Sequence, residues 1–535
     1  MMGLRPGPAI FLALLAIELP LVRAAVAARP RVAAAARVAI FAIPLALALA
    51  LRAWQALTTA GVLDWDETYY LNLAVTGAAG RGLYPYLVGY GPMPILGGIG
   101  YAAYAYVLAV RVFGPTVLGL RVVSLLASGA ALVFVWLLVR RWYGSAAAWM
   151  AAALTAAMRL FVMANTARMD SWTFAHVAGA LLLVAIALER RDRKAWHLLA
   201  GLAFGLGLEV HIDTVVTAVA CGVLYLALWV REARARHEVF LPTALLLYVL
   251  GWSAGAVVFL VFNVLPDPAA FYKTTVLLRV DATSWYSSAG AGAAASFMNP
   301  SILLAKELTR YGLIFRALPW IEIALAAAGL IAMLVRRSAA DRMVLILIGA
   351  LGVTAAVVLN SPSPLYFIHV TPALVIPAAV LVTHGLTGKS MLPLRSLGVW
   401  QLAACAVLLS ALGAGNAART IRRDAPPAAA DVATASFVER VHALAGRGCR
   451  IAGDGGLYVR YFADYPNFIS WRPTEVRYAM LYFGARDESG YWALQQPDVV
   501  ISAGALPPGL SPYVMATLHE AAPGIWMRPG GCGGR

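Results

Sequence analysis

The chain has 535 residues, 61% hydrophobic and only 13% charged, with a formal net charge of +16. So few charges exclude a soluble protein of this size, whose surface needs far more polar side chains, and send most apolar residues to lipid. The positive balance does not point to nucleic acid, because the basic residues sit between apolar runs: Arg23, Arg29, Arg31 and Arg37; Arg140 and Arg141; Arg190, Arg191, Arg193 and Lys194; Arg231, Arg234 and Arg236; Arg336, Arg337 and Arg342; Lys389 and Arg395. That is the positive-inside pattern, which puts these loops in the cytoplasm.

Residues 1–37 read as a cytoplasmic or interfacial segment. Within them 9–22 are apolar but short, and broken by Glu18 and Pro20, which predicts an interfacial or re-entrant helix. A cleaved signal peptide is the other reading, though no small-residue cleavage site precedes the arginine-rich linker. Runs of about 20 apolar residues cross a hydrocarbon core as helices. Eleven are predicted, at roughly 38–57, 116–139, 145–164, 172–189, 196–210, 214–230, 241–264, 314–335, 342–359, 366–384 and 398–415.

A cytoplasmic start then places two long loops, 58–115 and 265–313, on the outer face. The stretch Met93–Gly114 is apolar but interrupted by glycine pairs and Arg111, and reads as interfacial helix, with Tyr101, Tyr104 and Tyr106 as interface aromatics. After residue 415 the composition changes. RRDAPPAAAD reads as a linker, a helix follows to about Leu444, and CRIAGD, PDVVIS and IWMRP read as short strands. Residues 416–535 are thus predicted as a small extracytoplasmic α/β domain behind an all-α transmembrane domain, 38–415. In it GDGGLY (Gly453–Tyr458) is a Gly-rich strand-to-helix turn, weak as a phosphate signal. Cys221 and Cys405 fall in apolar runs; Cys449 and Cys532 either pair in the tail or stay as two thiols.

The chemically capable residues collect in the outer segments. A carboxylate beside hydrocarbon costs a few kcal/mol unless partnered or wetted, so acids kept there suggest a hydrated, charged cavity. LDWDETYY holds Asp64, Asp66 and Glu67. If a helix begins at Asp66, that residue shares a face with Tyr70 while Glu67 points about 100° away. One carboxylate then faces a substrate and the other holds an arginine; the competing reading is an acidic helix cap.

NTARMD offers Arg168 and Asp170, two apart at a helix junction. Arg121 begins a predicted span at its outer end, the wrong side for a topology signal, and is either a phosphate ligand or a snorkelling side chain. His211 and Asp213 form a local pair, too few for a metal site. Asp281 (beside Arg279), His369, Trp285 and Tyr286 complete the outer polar set.

The order of these motifs resembles the GT-C class of polyprenyl-phosphate-sugar glycosyltransferases. DETYYLNLAVTGAAGRGLYPYLVGYGPMPILGGIGYAAYAYVLAVRVFG, then GLRVVSLLAS, then NTARMD is similar to the dolichyl-phosphate-mannose protein mannosyltransferases and their bacterial relatives, including the aminoarabinose transferases that modify lipid A. The resemblance covers about residues 38–265; the later spans agree only by topology, and the tail matches no motif of the family.

The resemblance implies a GT-C-like bundle that moves a sugar from a polyprenyl-phosphate donor to an acceptor hydroxyl. Carried over, Asp66 is the catalytic base, and Glu67, Tyr70 and Asp170 orient groups or bind acceptor or sugar. Arg121 and Arg168 hold the donor phosphate. Two departures, Pro92-Met93-Pro94 for adjacent prolines and Glu209–Asp213 where several relatives carry a lysine, bear on donor and acceptor more than on reaction type.

The expected partners are the lipid-linked sugar, an acceptor glycan, lipid or protein, and membrane lipids. No cofactor or divalent ion is expected. The expected location is a bacterial inner membrane with the site outside. The alternative function is a lipid or glycolipid transporter, whose repeats and broken mid-membrane helices the sequence does not display.

Overall fold

A computed structural model of the chain describes residues 6–27, 30–58, 66–79, 100–158, 166–190, 192–236, 242–266, 268–272, 300–317, 320–358, 371–384, 397–423, 428–446, 448–454 and, with short interruptions, 457–532. The fold is a helical membrane bundle carrying a small five-stranded sheet at its carboxyl end.

The first two helices are α1 (Pro6–Ala27) and α2 (Pro30–Thr58). α1 is continuous over 22 residues. It is long and apolar enough to cross a membrane, and it packs against α2 and the last bundle helix, with Glu18 wholly buried. α2 starts at residue 30 and not 38, because Pro30 suits a first helical position and the alanine-rich stretch behind it favours helix.

Short helices α3 (Asp66–Ala78) and α4 (Gly100–Phe113) follow. Next come α5 (Val117–Ala157), α6 (Asp170–Glu189), α7 (Lys194–Leu206), α8 (Thr214–Arg236) and α9 (Thr243–Phe259). α5 holds two of the predicted spans. At Gly144, φ 84° and ψ −179° turn the chain back on itself, a conformation that a residue with a Cβ rarely adopts. The remaining bundle helices are α10 (Pro300–Ala317), α11 (Trp320–Arg336), α12 (Ala339–Val358), α13 (Thr371–His384) and α14 (Val399–Arg423).

Among the described residues seven helices are long and apolar enough to cross a membrane, or eight if the bent pair α10 and α11 is one span. The eleven predicted runs differ from these because α5 carries two, and because α7 and α13 have only 13 and 14 helical residues. The apolar part of α14 stops at Gly415, and α1, not among the eleven, is one of the seven. α14 continues eight residues beyond the predicted boundary at 415, so the tail joins the bundle through helix.

α7 and α9 touch backbone to backbone. A Cβ added at Gly201, Gly205, Gly251 or Gly255 would meet backbone of the facing helix at 1.9, 2.2, 2.1 or 2.5 Å. Two four-residue glycine repeats thus face each other, the small-residue contact that substitutes for hydrophobic driving force in lipid.

In the tail, α15 (Ala428–Leu444) precedes β1 (Ile451–Gly453), β2 (Phe468–Ser470) and β3 (Val499–Ile501), with α16 (Glu488–Gln495) before β3. Then come α17 (Ser511–Thr517), β4 (His519–Ala522) and β5 (Ile525–Met527). The strand order is β2-β1-β3-β5-β4. β1 runs parallel to β2 and β3, while β5 pairs antiparallel with β3 and β4. The three strands predicted from sequence are β1, β3 and β5. Cys449 and Cys532 are disulfide-bonded across 83 residues, while Cys221 and Cys405 are buried free thiols.

One apolar cluster joins the tail to the bundle. Tyr70, Leu71 and Leu73 of α3, Ala103 and Tyr106 of α4 and Leu120 of α5 belong to the same core as Phe437, Val441, Ile451, Val499 and Ile525. The tail therefore sits at the bundle end that carries α3.

Candidate active site

The site is assembled where α2, α3, α4, α5 and the segment before α6 meet. α3 begins at Asp66, and acids in a first turn favour the positive end of a helix. Glu67 and Arg121 are both without exposed surface. The Arg121 guanidinium donates from Nε to Glu67 Oε1 at 2.8 Å and from Nη2 to Oε2 at 2.6 Å. Ala167 N–H donates to the same Oε1 at 2.8 Å, and Arg121 Nη1 reaches the Ala56 carbonyl at 3.3 Å. One carboxylate thereby ties together the end of α2, the start of α3, the start of α5 and the segment before α6. A buried ion pair holds only when its geometry and extra hydrogen bonds offset desolvation. This one has a two-pronged pairing and a third donor.

Beside it, Arg168 donates from Nε to Asp170 Oδ2 at 2.7 Å, both residues being buried. Tyr106 links the two pairs. Its hydroxyl lies 2.9 Å from Ser124 Oγ and donates to the Arg168 carbonyl at 2.8 Å. Burial first, with the negative charges of Asp170 and Glu67 adding, pushes the Tyr106 phenol well above its ordinary range. It acts as a neutral hydrogen-bonding strut. Tyr70 stacks its ring at a tilt on Tyr106, 5.8 Å between centroids.

Of the residues singled out in the sequence, Glu67, Tyr70, Arg121, Arg168 and Asp170 come together here. Asp66 opens α3 next to Glu67, and its side chain lies outside the described residues, as do Asp281, His369, Arg279, Trp285, Tyr286 and the Pro92-Met93-Pro94 stretch. His211 and Asp213 form a separate turn. Asp213 N–H donates to His211 Nδ1 at 3.0 Å, and that ring nitrogen stands 3.3 Å from Asp213 Oδ2. The two residues close a local turn before α8.

The structure adds residues that the sequence reading missed. Tyr106 is no interface aromatic: it is wholly buried, whereas Tyr104 is 64% exposed. On α10, Glu307 pairs with Arg310 at 2.9 Å and lies 3.5 Å from Lys306, while both cations cap the end of α12 at the Ala355 and Ala356 carbonyls. The signal was present as KELTR, a knot of charge in an otherwise apolar chain. Arg52, buried near the end of α2, donates to the Ala156 carbonyl at 2.9 Å.

A family model described as dolichyl-phosphate-mannose-protein mannosyltransferase matches residues 101–262. ArnT from Cupriavidus metallidurans bound to undecaprenyl phosphate superposes with a TM-score of 0.58 at 14% identity, over 92% of this chain and 99% of that one. The chain has the fold of the GT-C membrane glycosyltransferases. The apo form of that ArnT gives a TM-score of 0.54 at 16% identity, over 90% and 95%. The GT-C fold extends to an Archaeoglobus fulgidus oligosaccharyltransferase in complex with zinc and sulfate, at 0.50 and 14% identity over 86% of this chain and 67% of that one. No curated protein matches the chain by sequence.

Proposed function

We propose that the chain transfers a sugar from a polyprenyl-phosphate donor to an acceptor hydroxyl on the extracytoplasmic face, with inversion at the anomeric carbon. The observation that supports this reading is the Glu67–Arg121 pair, which fixes the first turn of α3, the turn that Asp66 opens, to three other segments. Asp66 takes the proton from the acceptor hydroxyl as that oxygen attacks the anomeric carbon. The bond to phosphate breaks on the opposite side, and the polyprenyl phosphate leaves with the electron pair. Phosphate is a good leaving group, so no general acid is needed. Arg168 stabilises the charge that grows on it.

Arg121, expected from the sequence at the donor phosphate, takes a positioning role instead. Its guanidinium is held by Glu67 and the Ala56 carbonyl at a spot without solvent exposure. Asp170 orients Arg168.

A lipid-linked donor suits a face that nucleotide sugars do not reach, and one GT-C structure of similar fold holds undecaprenyl phosphate. The extracytoplasmic placement is supported by the disulfide in the tail, which shares a core with α3. Arg140 and Arg141 stand just before the Gly144 bend of α5, away from its Arg121 end, and Arg336 ends α11. The positive-inside rule favours this distribution for the opposite face.

The test is reconstitution of the full chain in liposomes holding polyprenyl-phosphate-linked sugars, with mass spectrometry of lipid and acceptor. Transfer with release of polyprenyl phosphate is expected. Movement of the intact lipid-linked sugar between leaflets, with no transfer, would sink the reading in favour of a transporter.

A further inference from the structure

The tail sheet contains a cavity that transfer at Asp66 does not use. β1 lies between β2 and β3, and all three run parallel. The chain therefore leaves β1 toward one neighbour and comes back to the other. Open α/β sheets bind their ligands at such a reversal, outside the carboxyl ends of the strands. Here Asp454 follows β1, Trp471 follows β2 and Ser502 follows β3, and all three line one cavity of about 840 Å³. Trp526 of β5, Glu520 of β4 and Arg440 of α15 line it as well.

Two chemistries compete for this place. The sequence GDGGLY, whose first residue ends β1, suggests a phosphate. The charges argue otherwise, since Asp454 belongs to that motif and, with Glu520, outnumbers Arg440 in the lining. A phosphate would be pushed away. An uncharged polyhydroxyl ring meets the opposite situation. A carboxylate has acceptor sites for hydroxyl groups beyond a single partner, Glu520 Oε1 taking one N–H from Gly524 at 3.1 Å. An indole's electron-rich face suits the C–H side of a sugar ring, and two half-buried indoles stand in the lining. The cavity is at the upper end of the size range of small-molecule sites, so it has room for more than one ring.

We propose that this cavity is a second saccharide site, selective for neutral sugar rings and separate from the candidate active site. It does not depend on the transfer reading. The experiment uses the full chain in nanodiscs, saturation-transfer NMR, and four probes: maltotetraose, mannotetraose, chitotetraose and cellotetraose. At least one is expected to receive saturation. Trp471→Ala and Trp526→Ala should each weaken that binding at least tenfold, and Asp454→Asn should weaken it several-fold.

Trp471→Phe should retain most of it, because an aromatic face remains. The Cys449–Cys532 disulfide, read on non-reducing gels, reports that the tail of each variant has folded. Asp66→Asn should bind the sugar as the parent does, which separates this site from the transfer chemistry. The proposal is overturned if none of the four sugars binds, or if binding survives both tryptophan-to-alanine changes. It is equally overturned if Asp66→Asn abolishes binding, or if ATP or inorganic phosphate displaces the sugar.

Discussion

Both ends of the bundle bury an acid against an arginine, and only one of them looks like a site. At the end away from α3, Asp341 accepts from Arg336, from the Ser338 amide at 3.0 Å and from the Tyr143 hydroxyl at 3.0 Å. Its charged partner lies five residues away, so the pair closes the tight turn between α11 and α12. Glu67 takes its partners from 54 and 100 residues away. The first arrangement caps a helix hairpin. The second sets the first turn of α3 against three other segments. A buried ion pair by itself is no mark of function; the span of sequence that it fastens is the better guide.

The largest effect expected at the α3 end comes from Asp66→Asn. Transfer should fall about a hundred- to ten-thousand-fold, the contribution of a positioned general base, with thermal stability in detergent unchanged. A fall of less than tenfold would remove the catalytic half of the contrast.

Glu67→Ala should cost about 3–5 kcal/mol, because it leaves the Arg121 charge buried and uncompensated. Melting in detergent measures this. Adding Arg121→Met should recover most of the stability and none of the transfer. Asp341→Ala at the other end should lower stability by about 3 kcal/mol, yet leave turnover per folded molecule within twofold. Equal loss of turnover from Asp341→Ala and Glu67→Ala would show that the two ends do not differ in kind.

Cys532→Ser removes a cross-link over 83 residues and should cost the tail about 2–5 kcal/mol, seen as earlier unfolding and faster proteolysis. The smallest effect is Tyr106→Phe, about 1 kcal/mol for its hydrogen bonds to Ser124 and the Arg168 carbonyl. A few-fold drop in turnover with little change in melting is expected.

What the sequence disclosed divides along the same line. Spans, basic loops and the α/β tail were legible because apolar runs, arginines and strand-length apolar stretches are local signals. Arg168 and Asp170 were legible as a pair because they are two residues apart. Glu67 was expected to hold an arginine, but nothing in the spacing named Arg121 as that arginine, and Arg121 itself looked like a phosphate ligand. Tyr106 was misread because an interface tyrosine and a buried strut have the same composition. The facing glycines of α7 and α9 went unnoticed because each repeat is unremarkable until the other helix is beside it. α1 was underestimated because Glu18 and Pro20 count against a span in isolation, whereas α14 and α2 cover that face.

The apolar core shared by α3, α4 and the tail has a consequence for biosynthesis. The segment around residue 67 is made well before the strands β1, β3 and β5 that complete its hydrophobic surroundings. A nascent chain can therefore complete every helix of the bundle before the apolar core around α3 is closed, and a chain cut before β1 would keep the bundle and lose one wall of that core.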